Sequence, residues 1–375
     1  MTKIVVTGAG GLIGWHASAR LHAANCAARF KGEAQPYEIV MLDHAGFEDD
    51  GVLADAVRDA DLVLHFAGVN RGVDTEVETA NPQIADRLAQ AIGQAAARPH
   101  IVYANSTHAA SDTPYGRSKR GAAERLSATG LGFTNLILPH IFGEGARSYY
   151  NNVTATLIDQ VIKGENPTIN PDGVVHLLHA GAAAHFAIDA GLAGQSGELA
   201  PSGQRTGVPA LYQLLRGFHE SYSANIFPDL TDKFHAALFN SYRAALYPDG
   251  FPRPLKLNTD KRGTLFEAVK GGGGGQSFAS WTEPGVTRGD HFHLDKVERF
   301  LVLDGEAIIR IRRILGGPVW EYRVNGATPS PVDMPTLHTH SIENVGGRPL
   351  LTLFWTHELF DPSAPDTFAD PVLGA

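Results

Sequence analysis

A tyrosine and a lysine four positions apart, Tyr115 and Lys119, follow two adjacent hydroxyl residues, Ser106 and Thr107. On a helix that spacing sets the phenol and the ammonium on one face. An ammonium beside a phenol favours the phenolate and draws its pKa below the usual ~10. A tyrosine so tuned passes a proton to or from a carbinol or carbonyl oxygen near neutral pH. A hydroxyl such as that of Thr107, arriving from the end of a strand, can hold the same oxygen. The spacing alone also fits a solvated helix face, so the surrounding elements must decide.

A second constellation lies near the other end of the chain. His291 and His293 alternate along a strand-like stretch, which puts both imidazoles on one side. Glu298 can return on the neighbouring strand after a turn. Two imidazoles and a carboxylate suit a divalent metal such as Zn²⁺ or Fe²⁺. Further histidines, His338 and His340, stand in Pro335-Thr336-Leu337-His338-Thr339-His340. Arg310 and Arg312 share one strand face and could reach a diphosphate or form a solvated edge.

The elements that must position these groups are readable in order. Ile4-Val5-Val6 is a short buried strand that runs into Thr7-Gly8-Ala9-Gly10-Gly11-Leu12-Ile13-Gly14 and an Ala/Leu-rich helix. Gly8, Gly11 and Gly14 let the backbone turn tightly and approach a pyrophosphate at the helix N-terminus. A second strand, Glu38 to Leu42, ends at Asp43, where a carboxylate binds ribose hydroxyls and repels a 2′-phosphate, or simply caps the strand. Asp61 to Phe66 is a strand with the small residues Ala67 and Gly68 at its exit. Asn81 is expected to open a helix, and His100 to Tyr103 to form the strand that delivers Ser106 and Thr107. Alternating strands and helices predict a doubly wound α/β parallel sheet.

Composition sets the outer limits. At 375 residues the chain holds about two domains. A net charge of −9 with no Lys/Arg run argues against a general nucleic-acid-binding role. The single Cys26 excludes an internal disulfide and a cysteine-based zinc site. No apolar run approaches the ~20 residues of a membrane span. The chain opens Met-Thr-Lys straight into Ile4, leaving no room for a signal peptide, so the cytoplasm is the expected compartment. Tyr247-Pro248 to Pro254 is proline-rich and cannot sustain a helix. The expected domains are therefore 1–246, a linker at 247–256, and a β domain at 257–375.

The glycine turn, Ala67-Gly68, Thr107 and Tyr115 with Lys119 resemble the extended short-chain dehydrogenase/reductases over residues 1 to about 245. That resemblance implies Gly8, Gly11, Leu12, Ile13, Gly14, Asp43, Ala67, Gly68 and Lys119 as cofactor contacts. It implies Tyr115 as acid/base, Thr107 as the hydroxyl on the reacting oxygen, and Ser106 as the second choice. Leu138-Pro139-His140 replaces the usual arginine and asparagine, and Gly181-Ala182 behind His179 replaces an aspartate pair. Tyr149 to Asn152 lies where extended members hold the nucleotide of a nucleotide sugar, or is a polar loop.

Gly285, His291, His293, Glu298 and Gly305 resemble the first signature of the cupin (jelly-roll) barrels at each specified position. The second signature departs at Leu337, where glycine is usual. The resemblance implies His340 as the fourth metal ligand, with His338 a stand-in.

Across both halves the chain resembles the CapF-like enzymes, bifunctional nucleotide-sugar enzymes of capsular polysaccharide. Ala67 to Arg71, Pro114 to Gly116, Thr339-His340 and Ile342 to Asn344 carry this. So does the tail Phe360-Asp361-Pro362 with Pro365-Asp366-Thr367. The implied activity is C3 epimerisation of a UDP-4-keto-6-deoxy-N-acetylhexosamine by the cupin, with Zn²⁺ or another divalent metal. Reduction of the C4 ketone by the reductase half would follow, towards UDP-N-acetyl-L-fucosamine or its 6-deoxytalose relative. The family implies NADPH, whereas Asp43 without a nearby arginine keeps NADH as the alternative. It also implies a homodimer. The competing readings are a 4-ketoreductase whose cupin only binds or dimerises, and a non-catalytic NAD(P)-sensing protein.

Overall fold

Ile4, Val5 and Val6 are completely buried at the centre of the strand Thr2–Thr7, and the first half of the molecule is built around them. The computed structural model describes residues 1–374. Six parallel strands lie in the order Tyr37–Leu42, Thr2–Thr7, Leu62–His65, His100–Ser106, Phe133–Leu138 and Gly197–Leu199. Alternate residues feed opposite faces. Val5, Val63 and Ile101 pack with Leu53, Leu88 and Leu126, while Ile4, Val6, Leu64 and Val102 pack with Leu21, Ala183 and Ile188.

Strand order reverses at Thr2–Thr7, and the crevice beyond the carboxyl ends at such a switch point is where α/β folds bind ligands. The glycine turn fills it. Gly8 has φ +65°, and a Cβ there would lie 2.7 Å from the Ala67 amide nitrogen. A Cβ on Gly14 would lie 2.2 Å from the Gly8 carbonyl oxygen, so the helix Leu12–Phe30 can start this close only with glycine.

Asn81 does not open a helix. It sits within the helix Asp74–Gln94, which also contains Pro82.

By packing, Met1–Thr156 with Asn170–Val208 form one compact unit, and Leu157–Ile169 with the chain from Pro209 onward form another. The helices Val208–Ser223 and Lys233–Leu246 therefore group almost entirely with the β-sheets that follow the proline-rich stretch. Arg243 donates to the Met334 carbonyl at 2.5 Å, and Asn240 to that of Asp295 at 2.7 Å. Arg299 holds Asp333 bidentately at 2.6 and 2.8 Å, and the Tyr222 hydroxyl donates to the same carboxylate. Removing one partner of such a buried pair costs about 3–5 kcal/mol, because it strands the other charge.

The β domain is built on two larger antiparallel sheets, preceded by the short hairpin of Asn258–Asp260 and Gly263–Leu265. One runs Gln276–Thr282, Leu350–Thr356, Glu298–Asp304, Val332–Met334; the other runs Val319–Asn325, Glu306–Arg313, His338–Asn344, Thr287–Phe292, Phe368–Ala369. Phe300, Val302, Ile309, Ile311, Ile342 and Phe354 form the core of this cupin-like barrel. Glu298 thus belongs to the sheet opposite His291, not to a hydrogen-bonded neighbour strand. Among the described residues no helix is long and apolar enough to cross a membrane.

Candidate active sites

In the first unit the strand His100–Ser106 ends in a 3-10 turn, Thr107–Ala110. The next helix, Pro114–Ser127, starts where Thr113 caps it through the Gly116 amide at 3.1 Å, with Pro114 in its first turn. Tyr115 and Lys119 lie one turn apart on it. Burial raises the phenol pKa of Tyr115 above 10.0, opposed by the Ser106 side chain. Thr107 is exposed. Lys119 is buried, its Nζ donating to the Ala104 carbonyl at 2.5 Å and lying 4.1 Å from the Tyr103 ring centre. Burial lowers its pKa to about 7. The expected ammonium-driven depression of Tyr115 is therefore replaced by a burial-driven rise, because Lys119 is itself desolvated and engaged with backbone.

Ala67 and Gly68 line the crevice opposite Gly8. The Ala67 amide meets Thr7 Oγ1 at 3.3 Å, and Thr7 also pairs with the buried His65 at 2.8 Å. Asn81 grips the same loop. Its Oδ1 accepts from the Val69 amide at 2.9 Å, and its Nδ2 donates to the Val69 carbonyl and to Ser118 Oγ, each at 2.8 Å. A Cβ on Gly68 would lie 2.7 Å from that Oδ1. Sequence reasoning missed this clamp; the available signal was an asparagine whose two-sided amide sits in a helix facing the loop. Leu12 and Ile13 form the first turn of the helix after Gly11. Asp43 is exposed at its strand end, where Oδ1 accepts from the Gly46 amide at 2.8 Å as a helix cap.

Arg71 donates to the Tyr149 carbonyl, Asn151 to that of Asn70 at 2.8 Å, and the Arg71 and Arg147 guanidiniums stand 5.8 and 6.0 Å from the Tyr150 ring centre. The loop 149–152 is thereby fastened to the loop 70–71. His140 Nε2 is buried with no hydrogen-bond partner among the described residues.

In the second unit His291, His293, Glu298 and His340 offer ligand atoms that all lie within 4.8 Å of one another. Glu298 Oε2 is 3.0 Å from His293 Nε2, 3.1 Å from His340 Nε2 and 3.9 Å from His291 Nε2. Burial opposes ionisation of Glu298, yet the imidazoles hold its carboxyl well below the ordinary range. For His293, burial lowers the pKa but the Glu298 carboxylate outweighs it and the shift is upward. For His340 burial wins and the pKa falls to about 4.

That last value tests whether a cation fits. His340 Nδ1 contacts the His338 carbonyl at 3.1 Å, and a carbonyl only accepts, so Nδ1 carries the proton of the neutral ring. The Nε2 lone pair then faces the Glu298 carboxylate across 3.1 Å. Three imidazoles and one carboxylate within 4.8 Å of one another are a donor set that fits Zn²⁺. His338 stands aside, bonded to the Thr336 carbonyl at 2.8 Å and packed on the Tyr247 ring. Arg310 pairs with Glu321 and Glu343, both at 2.6 Å, and Arg312 bonds the backbone of Pro371 and Val372.

These features define a Rossmann-type domain followed by a cupin-like domain. Residues 4–184 match the NAD dependent epimerase/dehydratase family, and residues 258–368 match the polysaccharide biosynthesis C-terminal domain. The chain is 30% identical to the UDP-2-acetamido-2,6-beta-L-arabino-hexul-4-ose reductase of Pseudomonas aeruginosa, over 98% of each chain. It is similar to the crystal structure of the capsular polysaccharide assembling protein CapF from Staphylococcus aureus. There the identity is 28%, the TM-score 0.60, and the coverage 99% of this chain and 100% of that one. A structure of CapF with the inhibitor 3-isopropenyl-tropolone matches at 27% identity and TM-score 0.55, with the same coverage. The chain belongs to the CapF-like family of nucleotide-sugar enzymes.

Proposed function

We propose that the chain epimerises C3 of a UDP-4-keto-6-deoxy-N-acetylhexosamine in its cupin-like domain and reduces the C4 ketone in its Rossmann domain. The observation that carries the reductive step is the placement of Ser106 at the carboxyl end of its parallel strand, with Tyr115 and Lys119 one turn apart on the helix that follows. A 4-ketoreductase aligned along nearly the whole chain supports the substrate class.

A nicotinamide dinucleotide, NADPH first and NADH as alternative, supplies a hydride when bound. Gly8, Gly11, Leu12, Ile13 and Gly14 would receive its phosphates, Asp43 its adenosine ribose, and Ala67 and Gly68 its backbone. Tyr115 delivers its proton to the C4 oxygen as that oxygen gains negative charge, while Ser106 donates a hydrogen bond to it. Lys119 would hold the nicotinamide ribose.

His291, His293, Glu298 and His340 would hold Zn²⁺ or another divalent ion, which supplies Lewis acidity to a carbonyl oxygen. Removing the proton at C3, next to a ketone, requires such stabilisation of the oxygen. The inhibitor bound by CapF supports this reading, since a tropolone presents adjacent oxygens that chelate divalent metals. The same compound is expected to block C3 exchange here. The family likeness further supports a homodimer, which sedimentation of the purified chain tests.

The decisive experiment incubates the chain with the 4-keto sugar nucleotide in D₂O, first without and then with NADPH or NADH, reading products by NMR. Deuterium at C3 before cofactor addition, followed by C4 reduction, is expected. Reduction without exchange would leave the cupin a binding or dimerisation module. Absence of reduction with both cofactors would overturn the reading.

A further inference from the structure

The tail motif Pro365-Asp366-Thr367 has no part in either reaction as described, yet it closes over the turn that carries two of the four candidate ligands. Phe368 and Ala369 pair as a short strand with Phe292 and His291. Just before them the Asp366 carboxylate gathers three consecutive amides, accepting from Leu294 at 2.9 Å, Asp295 at 3.0 Å and Lys296 at 2.8 Å. The Asp366 carbonyl takes His293 Nδ1 at 2.5 Å. Lys296 fastens the reverse side, its buried Nζ donating to the Pro365 carbonyl at 2.5 Å and reaching Thr367 Oγ1 at 3.4 Å. Asp366 holds φ 39°, a left-handed conformation that lets one residue present both its carbonyl and its carboxylate to this turn.

We propose that Asp366 is a positioning residue of the His291–His293–Glu298–His340 site, through two bonds with different jobs. The carbonyl fixes the Nδ1 proton of His293, which leaves Nε2 as the lone pair aimed at Glu298. The carboxylate sets the shape of the turn between His293 and Glu298, and with it the separation of two ligands. A turn of this length does not require three amides on one carboxylate. The inference rests on the reading that these four residues hold a divalent ion.

The test measures Zn²⁺ dissociation constants of the full chain by competition with a chromophoric chelator, together with amide hydrogen exchange across 293–297. Asp366→Gly keeps the left-handed conformation and deletes the carboxylate; Asp366→Asn keeps one acceptor oxygen. Asp361→Ala, in the same tail, removes a carboxylate that accepts from the Ser363 amide at 2.8 Å and hydroxyl at 2.6 Å, and controls for general loosening. Asp366→Gly is expected to weaken Zn²⁺ binding about 10- to 100-fold. Asp366→Asn should fall between it and wild type, exchange at 294–296 should quicken in both, and Asp361→Ala should leave affinity unchanged. If Asp366→Gly does not fold, the same comparison is made with Asp366→Asn. Wild-type affinity in the Asp366 variants, or equal losses at Asp361, overturns the inference alone. No Zn²⁺ uptake by the wild-type chain overturns the metal reading and the inference with it.

Discussion

The Ser106 side chain, and not the exposed Thr107, acts on the Tyr115 phenol, because the chain enters a 3-10 turn at Thr107. Ser106→Ala and Tyr115→Phe are each expected to lower single-turnover reduction by about 10²- to 10⁴-fold. Thr107→Ala should cost less than roughly tenfold on the same scale. Stopped-flow oxidation of NADPH with the 4-keto substrate measures all three. A larger loss at Thr107 than at Ser106 would reverse the assignment.

Asn81 is the joint between the helix Asp74–Gln94 and the cofactor-facing loop. Asn81→Ala strands the Val69 amide and carbonyl, a loss of about 1–3 kcal/mol in stability. Thermal unfolding should register that loss. Fluorescence titration should show weaker cofactor binding, since Ala67 and Gly68 lose their anchor.

Lys119 gives the cofactor-free protein a pH signature. Its folded pKa of about 7 lies below the ordinary 10.5, because burial disfavours the charged form. Between these values the unfolded chain binds the extra proton, so stability rises with pH across the window. Below about 7 the penalty is fully present. The thermal midpoint should therefore increase from neutral to alkaline pH, and Lys119→Met should flatten that slope. An unchanged slope in the variant would assign it to another group.

Asp43 offers an exposed carboxylate where a 2′-phosphate would approach. Asp43→Ser retains a capping oxygen and removes the charge. The ratio of kcat/KM for NADPH over NADH should rise on the order of fivefold. A ratio that does not move would place the ribose elsewhere.

Chelation should separate the two chemistries. Treatment with dipicolinate is expected to abolish deuterium exchange at C3 and lower the unfolding midpoint. Reduction of a substrate already carrying the epimerised C3 should persist. Loss of both activities would mean that the ion supports the whole fold.

The sequence shows the glycine turn plainly because glycine is the only residue that survives the approach of Gly8 to Ala67 and of Gly14 to Gly8. The His-x-His spacing is equally plain, since alternation along an extended chain sets His291 and His293 on one side. Other features depend on packing that no local pattern encodes. Asn81-Pro82 has the look of a helix start, yet tertiary contacts extend the helix back to Asp74. Adjacent hydroxyls at 106 and 107 are interchangeable until the turn chooses one. The proline-rich stretch at 247–256 breaks secondary structure, whereas buried Arg243 and Tyr222 tie the preceding helices to the β-sheets. Glu298 reaches its histidines across two facing sheets, a relationship invisible without the barrel.

Leu337 holds a left-handed backbone, the conformation that glycine adopts freely, with φ 61°. Its amide donates to the His293 carbonyl at 2.8 Å, and its side chain is almost fully enclosed. Relieving the backbone is worth about 1–2 kcal/mol. Emptying a buried leucine site costs about 2–5 kcal/mol. Replacement by glycine is therefore uphill even though the backbone favours it. Leu337 is thus held against its own backbone preference by its side chain, and Leu337→Gly is expected to lower the thermal midpoint of unfolding.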